Sequence, residues 1–178
     1  MAKQSKVDGI IGAYYSEERA AYLAYGKLPI YEDQFVLISL QSKDIQWRGE
    51  LSELAGKSFA LLRSASYGEW YQKTSDAIDI AVVSSSLQQF ELLSVGRVDF
   101  IVNNLRTSPI QLKKLNLEGK VTFHQPALAT RKGFFTATKT SKLVELLPEF
   151  DRYMQTLESD GLLQQLKTRY LKSSLILN

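Results

Sequence analysis

The sequence contains no cysteine, a single histidine and no long apolar run. Without cysteine there is no disulfide, no thiol nucleophile and no cysteine-ligated metal. His124 has no neighbours at a metal-ligand spacing, and no serine–histidine–acid arrangement is persuasive, so we expect it at the surface or at a strand end. The sequence also lacks the glycine-rich loop that holds a phosphate. We therefore expect neither a metal nor a cofactor.

The charged residues are nearly balanced and scattered along the chain. There are 22 basic and 19 acidic residues, and basic residues are rarely adjacent, which argues against nucleic acid as a partner. No apolar stretch approaches the roughly 18 residues of a membrane-spanning helix. The opening Met-Ala-Lys-Gln-Ser-Lys is too polar and too short for a signal peptide. We expect either a cytoplasmic protein or one whose targeting segment has been removed.

Strand and helix patterns alternate along the chain, which favours an α/β fold. The predicted strands are residues 7–13, 34–40, 58–62, 78–83, 98–102, 121–124 and 133–137. The predicted helices are residues 16–23, 68–75, 86–94, 107–114, 142–147 and 149–158, with a last one near 161–170. Residues 39–47 and 130–138 are predicted to connect two halves. A central insertion entered and left by strands is typical of a two-lobed, hinged protein.

Several short segments occur in a fairly specific order and spacing over nearly the whole chain. They are Lys-Val-Asp-Gly-Ile-Ile (6–11), Glu-Arg-Ala (18–20) followed by Pro-Ile-Tyr-Glu-Asp (29–33), Leu-Ser-Glu-Leu-Ala-Gly-Lys (51–57), Gly-Arg-Val-Asp (96–99), and Asp-Gly (160–161) before the closing helix and Tyr170. Together they resemble the bacterial extracellular solute-binding proteins of the polar amino-acid type (family 3), which serve ABC importers.

The resemblance implies a periplasmic-binding-protein-like fold of type II, with two α/β lobes joined by two hinge strands. It assigns residues 1–39 and 132–178 to lobe one and residues 40–131 to lobe two. Family members carry a further strand–helix–strand–helix portion of lobe one before the first strand seen here, so we expect lobe one to be incomplete. Bare sheet edges are avoided in proteins, which predicts either a homodimer paired through that edge or a partly open lobe.

The resemblance also implies the candidate ligand contacts. Arg19 matches the position that clamps a ligand carboxylate, and its planar guanidinium suits that group; the alternative is a solvated arginine in a first helical turn. Ser64, Ala65, Ser66 and Tyr67 form a turn between a strand and a helix. Free N–H groups in such a turn can bind the same carboxylate, although Ser66 could equally be a simple helix cap.

Further candidates for ligand contact lie elsewhere in the sequence. Asn104 lies where many amino-acid binders carry an aspartate for the ligand ammonium; alternatively, it caps the following helix. A charge-assisted hydrogen bond is worth roughly 1.5–3 kcal/mol, so the neutral amide favours a carboxylate without a free amine or a weakly held amino acid. Tyr14 and Tyr15 should point to opposite faces of a strand, and we expect Tyr14 in the site. Arg63 is also a candidate, whereas Trp70 is expected in the core.

Three functions are compatible with these residues. The first is a non-catalytic, periplasmic receptor of an ABC importer, which binds a small carboxylate-bearing ligand between the lobes and is recognised by a permease. The second is an enzyme similar to the dehydratases of cyclic carboxylic acids, for which Glu17, Glu18 and Glu69 are the available acids; we expect them to be solvated and the protein not to be an enzyme. The third is the ligand-sensing module of a signalling receptor.

Overall fold

The computed structural model describes residues 2–4, 6–63, 65 and 67–175. The strands are β1 (Gly9–Tyr14), β2 (Leu23–Leu40), β3 (Ser58–Leu62), β4 (Asp79–Val83), β5 (Phe100–Asn104), β6 (Val121–Phe123) and β7 (Ala129–Thr138). The α-helices are α1 (Glu17–Ala20), α2 (Glu69–Thr74), α3 (Ser86–Ser94), α4 (Ser108–Lys114), α5 (Leu147–Ser159) and α6 (Leu162–Leu175). Short 3₁₀ turns cover Ala2–Gln4, Gln41–Lys43, Leu51–Leu54, Ser75–Ala77 and Lys142–Leu146. In the part of the chain so described, no helix combines the length and the apolar character needed to cross a bilayer.

The chain divides into two compact units. The first contains Met1–Asp33 and Arg131–Ser173, and the second is built around Gln34–Thr130. Both changes of unit fall inside strands, because β2 continues past Asp33 and β7 begins before Arg131. Residues 39–47, which were expected to connect the halves, lie within the second unit.

The second unit is built on a mixed sheet in the order β6-β2-β5-β3-β4. The Gln34–Leu40 part of β2 runs antiparallel to β5 and β6, whereas β3 is parallel to both β4 and β5. Parallel strands with intervening helices leave their carboxyl ends at one edge, the usual place for ligand contacts in such sheets. In this unit that edge carries the residues that follow Leu62, Val83 and Asn104.

Alternating side chains of this sheet supply two separate cores. On one face, Val36, Ile38 and Ile101 pack with Phe90 and Leu93 of α3. The opposite face is packed by a cluster that contains more aromatic side chains than the first. Its members include Leu37, Trp47, Phe59, Trp70, Phe100 and Val102. Period-two alternation places strand neighbours on opposite faces, and each fully buried apolar side chain stabilises the unit by about 1.5–3 kcal/mol.

The first unit has β7 between β1 and the Leu23–Asp33 part of β2. Helix α5 packs on it: the Phe150 ring lies 4.7 Å from that of Phe135, and the buried Asp151 carboxylate accepts the Lys27 N–H at 2.8 Å. The outer strand, β1, pairs antiparallel with β7 and contains an irregularity at Gly12, where φ is +81°. A positive φ is easily adopted by glycine and costly for other residues.

The observed elements confirm the α/β class and most of the predicted elements. The predicted strand 58–62 and helix 86–94 agree with β3 and α3 at both ends. The helix predicted over 16–23 is wrong beyond Ala20, because Leu23 already begins β2. The predicted strand 34–40 is the last part of that longer strand. The predicted helix 142–147 is a 3₁₀ turn over Lys142–Leu146.

Candidate functional site

Tyr14 ends β1 and is held by groups of its own unit. Its hydroxyl donates to the carboxylate of Asp33 at 2.5 Å, and Asp33 is only 1% exposed. The guanidinium carbon of Arg131 lies 5.9 Å from the centre of the Tyr14 ring, within cation–π range. The Tyr14 carbonyl accepts hydrogen bonds from Arg19 Nη1 at 3.1 Å and from the Tyr25 hydroxyl at 3.2 Å. Tyr14 therefore provides a fixed carbonyl on which Arg19 is anchored.

Arg19 lies in the short helix α1, directly after that strand end. Ser16 caps the helix as the sequence predicts, its hydroxyl accepting the Arg19 N–H at 3.3 Å. The Arg19 side chain is exposed, and a guanidinium offers five N–H donors. The hydrogen bond to the Tyr14 carbonyl uses one of these donors and orients the side chain. The remaining donors can still make a planar, two-point contact with a carboxylate.

An aromatic group of the first unit includes Tyr25, whose hydroxyl shares the Tyr14 carbonyl with Arg19. Tyr15 is 55% exposed, its ring lies 5.2 Å from Tyr25, and Tyr25 lies 5.9 Å from Phe134. Burial raises the pKa of the Tyr25 hydroxyl, and the nearby Arg19 charge opposes that effect. Tyr15 donates to Glu17 at 2.9 Å, a hydrogen bond that raises the pKa of Tyr15. Tyr15 thus offers an exposed ring next to Tyr25, whereas the Tyr14 hydroxyl is engaged by Asp33.

The candidate turn of the second unit follows β3. Ser64 and Ser66 lie outside the described residues. Ala65 is exposed, and its N–H donates to the Leu62 carbonyl at 3.2 Å. The Tyr67 hydroxyl accepts the Leu62 N–H at 2.5 Å, and the Tyr67 ring contacts Trp70 and Tyr71. Burial raises the pKa of Tyr67, while hydrogen bonds from Leu62 and Gln89 act in the opposite direction.

Asn104 ends β5 and is buried. Its side-chain carbonyl accepts the N–H groups of Arg106 at 2.8 Å and Thr107 at 3.3 Å, and its backbone carbonyl accepts the Ser108 hydroxyl at 2.6 Å. These bonds close the turn that precedes α4, whereas the N-cap of α4 itself is Thr107, so Asn104 is not the cap of that helix. The turn uses only the oxygen of the amide, so the Nδ2 group is the part of Asn104 that a ligand could engage.

The remaining candidates divide between core and surface. Trp70 is buried against Phe59, as expected, and Arg63 is exposed. Glu69 is exposed and pairs with Lys73 at 2.7 Å; the hydrogen bond from Lys73 lowers the pKa of this carboxyl. A general acid needs a raised pKa, so Glu69 has the wrong environment for that role. The described residues contain no cluster of three metal-ligating side chains.

The burial of two polar side chains, His124 and Gln89, was not predicted from the sequence. His124 does follow strand β6, but the expectation of a surface position is wrong: it is buried, with Nε2 2.8 Å from the Ser39 hydroxyl, and burial lowers its pKa. Gln89 is fully buried on α3 and bonds to Ala60 and Asn103. The only signal for Gln89 was a polar residue beside Phe90 on an otherwise apolar helix face.

Comparison with known proteins identifies the fold. No protein-family model and no curated protein matches the sequence. Among solved structures, a probable amino-acid ABC transporter extracellular-binding protein, ytmK from Bacillus subtilis, has a TM-score of 0.79 and 21% identity, over 94% of this chain and 72% of that one. The GluR0 ligand-binding core in complex with L-glutamate has a TM-score of 0.72 and 16% identity, over 94% and 74%.

A third similar structure is AbpA, an amino-acid ABC transporter substrate-binding protein from Streptococcus pneumoniae bound to L-arginine. Its TM-score is 0.71 at 19% identity, over 97% of this chain and 71% of AbpA. These similarities confirm the periplasmic-binding-protein-like fold of type II. About a quarter of each of these structures has no counterpart in this chain, which is consistent with the expected incomplete first lobe.

Proposed function

We propose that this chain is a non-catalytic solute-binding module whose Arg19 holds the carboxylate of a small ligand. The observation that carries the proposal is the exposed guanidinium of Arg19, anchored through one donor to the Tyr14 carbonyl at the end of β1. The fold supports it, since structures with this fold include proteins bound to L-glutamate and to L-arginine. Both of those ligands carry a carboxylate.

The proposal includes further contacts in each unit. Tyr14 belongs to the first unit; the contacts proposed in the second unit are Ser64, Ala65, Ser66, Tyr67 and Asn104. Because Asn104 is neutral, an α-ammonium group gains no charge-assisted bond there. We therefore propose that organic acids without an amine bind at least as well as amino acids do.

The test is calorimetric titration of the full chain with L-glutamate, L-arginine and succinate. Loss of a charge-assisted bond worth roughly 1.5–3 kcal/mol corresponds to about a 10- to 150-fold weaker affinity. Arg19→Met should show that loss for the compounds that bind, and Arg19→Lys should retain part of the affinity. Arg152→Met, which removes an exposed arginine on α5 of the same unit, is the matched control. Absence of binding up to millimolar concentrations, or equal affinity of Arg19→Met and the parent, contradicts the proposal.

The proposed partner is the permease of an ABC importer, with the chain acting on the outer side of the cytoplasmic membrane. This proposal draws on structural neighbours described as transporter binding proteins. A second candidate is a ligand-sensing module, because another neighbour is described as a ligand-binding core. Genes for a permease and an ATPase beside this gene favour import, and a gene for a signalling protein favours sensing.

We also propose that a second copy of the chain pairs with β1. This strand is the outer strand of its sheet, and Ile11 is 77% exposed on it. An outer strand presents unpaired N–H and C=O groups that a further strand can bind. Pairing of two β1 strands related by a twofold axis would satisfy those groups and cover both Ile11 side chains.

A further inference from the structure

A fully buried glutamine joins three segments of the second unit. The Gln89 side chain is 0% exposed. Its Nε2 donates to the Ala60 carbonyl of β3 at 2.8 Å and lies 3.4 Å from the Val102 carbonyl of β5. Its Oε1 accepts from Asn103 Nδ2 at 2.9 Å. Gln89 therefore connects helix α3 to the middle residue of each of two parallel strands.

The hydrogen bonds of Gln89 continue along β5. Its partner Asn103 accepts the Asn104 N–H through Oδ1 at 2.8 Å. A continuous set of bonds thus links Gln89 to Asn104 through Asn103.

Asn103 and Asn104, at the β5 end of these hydrogen bonds, have further partners. Asn103 also donates to the Ser86 hydroxyl at 2.8 Å, at the start of α3. Asn104 in turn caps the N–H groups of Arg106 and Thr107. The side-chain amides of Gln89 and Asn103 are both paired through nitrogen and oxygen, and a buried network paired in this way selects one side-chain arrangement more strongly than apolar packing does. An apolar residue of similar size would fill the same volume without imposing that orientation.

We propose that Gln89 is a positioning residue that fixes Asn104 in the arrangement needed for ligand contact. The proposal rests on the proposed function, in which Asn104 touches the ligand. Gln89 reaches Asn104 only through hydrogen bonds by way of Asn103. Its effect on affinity is therefore indirect, and its effect on the Asn104 turn can be measured without any ligand.

The first experiment measures amide hydrogen exchange by NMR in the full chain. Gln89→Leu should speed exchange of the Arg106 and Thr107 amides at least tenfold more than that of the Lys27 amide in the first unit. The matched control is Ser39→Ala, which removes the buried bond to His124 elsewhere in the second unit. It should not single out those two amides. If both variants affect them equally, Gln89 is a general core residue and the proposal is overturned.

The second experiment uses Gln89→Glu to separate positioning from packing. A protonated glutamate donates one hydrogen bond and accepts another, whereas an ionised one only accepts and would face the Ala60 and Val102 carbonyls. Protection of the two amides should therefore be near the parent level at acidic pH and fall as the pH rises. A pH-independent loss contradicts the proposal.

Binding of L-glutamate and L-arginine is measured in parallel. If the parent binds either, Gln89→Leu should weaken that binding at least fivefold relative to Ser39→Ala, and equal affinities of these two variants overturn the proposal. If the parent binds neither, that result counts against the proposed function, while the amide-exchange result still decides whether Gln89 positions Asn104.

Discussion

Replacement of Asp99 by asparagine should remove a pH-dependent contribution to stability. Asp99 precedes β5 and accepts hydrogen bonds from Lys43 Nζ at 2.6 Å, from the Ser58 N–H at 3.0 Å and from the Ser58 hydroxyl at 2.9 Å. Partial burial alone would raise the pKa of this carboxyl, but the bonds from Lys43 and Ser58 outweigh burial and lower the pKa from 3.8 to about 2. The carboxylate thus ties residue 43 and the start of β3 to the start of β5.

The size of the effect follows from that pKa. A carboxyl with a pKa near 2 in the folded state and about 3.9 when unfolded stabilises the folded state by about 2–3 kcal/mol at neutral pH. The Asp99 side chain is 26% exposed, so solvent screening reduces the expected value to about 1–2 kcal/mol. The contribution is complete above pH 4 and is lost as the pH falls towards 2.

Urea unfolding at pH 7, 5, 4 and 3 measures this contribution. Asp99→Asn should lower the free energy of unfolding at pH 7 and pH 5 by the same amount, and the difference from the parent should shrink at pH 3. Glu69→Gln, which removes one partner of the exposed pair with Lys73, should leave the unfolding midpoint unchanged. A deficit of Asp99→Asn that stays constant from pH 7 to pH 3 would show that the charge of Asp99 contributes nothing.

Two further variants test β1 and its surroundings. Gly12→Ala should destabilise the folded state by about 1–3 kcal/mol, because φ is positive there and the new methyl group would collide with the Tyr31 ring; an unchanged melting temperature in circular dichroism contradicts this. Ile11→Lys should convert a dimer into a monomer in sedimentation velocity if two β1 strands pair, and a parent that is already monomeric at high concentration rejects the pairing.

The parts of the fold that depend on local pattern were predictable from the sequence. The bounds of α3 follow from its apolar spacing and from Ser85, whose hydroxyl caps the Gln88 N–H at 3.2 Å. The start of α1 follows in the same way from Ser16. The end of α1 does not, because Ala20 and Ala21 favour a helix while strand pairing of β2 begins at Leu23. Here non-local pairing overrides local propensity.

The candidate site also combines contacts that were predictable from the sequence with contacts that were not. The contact between Arg19 and Tyr14 joins residues that are close in the chain, and the sequence already grouped them. The role of Gln89 could not be predicted, since it depends on Ala60 and Val102, which only the assembled sheet brings to it. Asn104 had two possible roles in the sequence, and only its hydrogen bonds to Arg106 and Thr107 show that it caps the turn.

The division of the chain into units has a consequence for the order of synthesis. The main segment of the second unit, Gln34–Thr130, is continuous, whereas the first unit needs both Met1–Asp33 and Arg131–Ser173. A ribosome therefore completes the main segment of the second unit before it reaches Arg131, where the other segment of the first unit begins. Since domains generally fold as they emerge, β1 remains without its partner β7 until the chain beyond Arg131 has been synthesised.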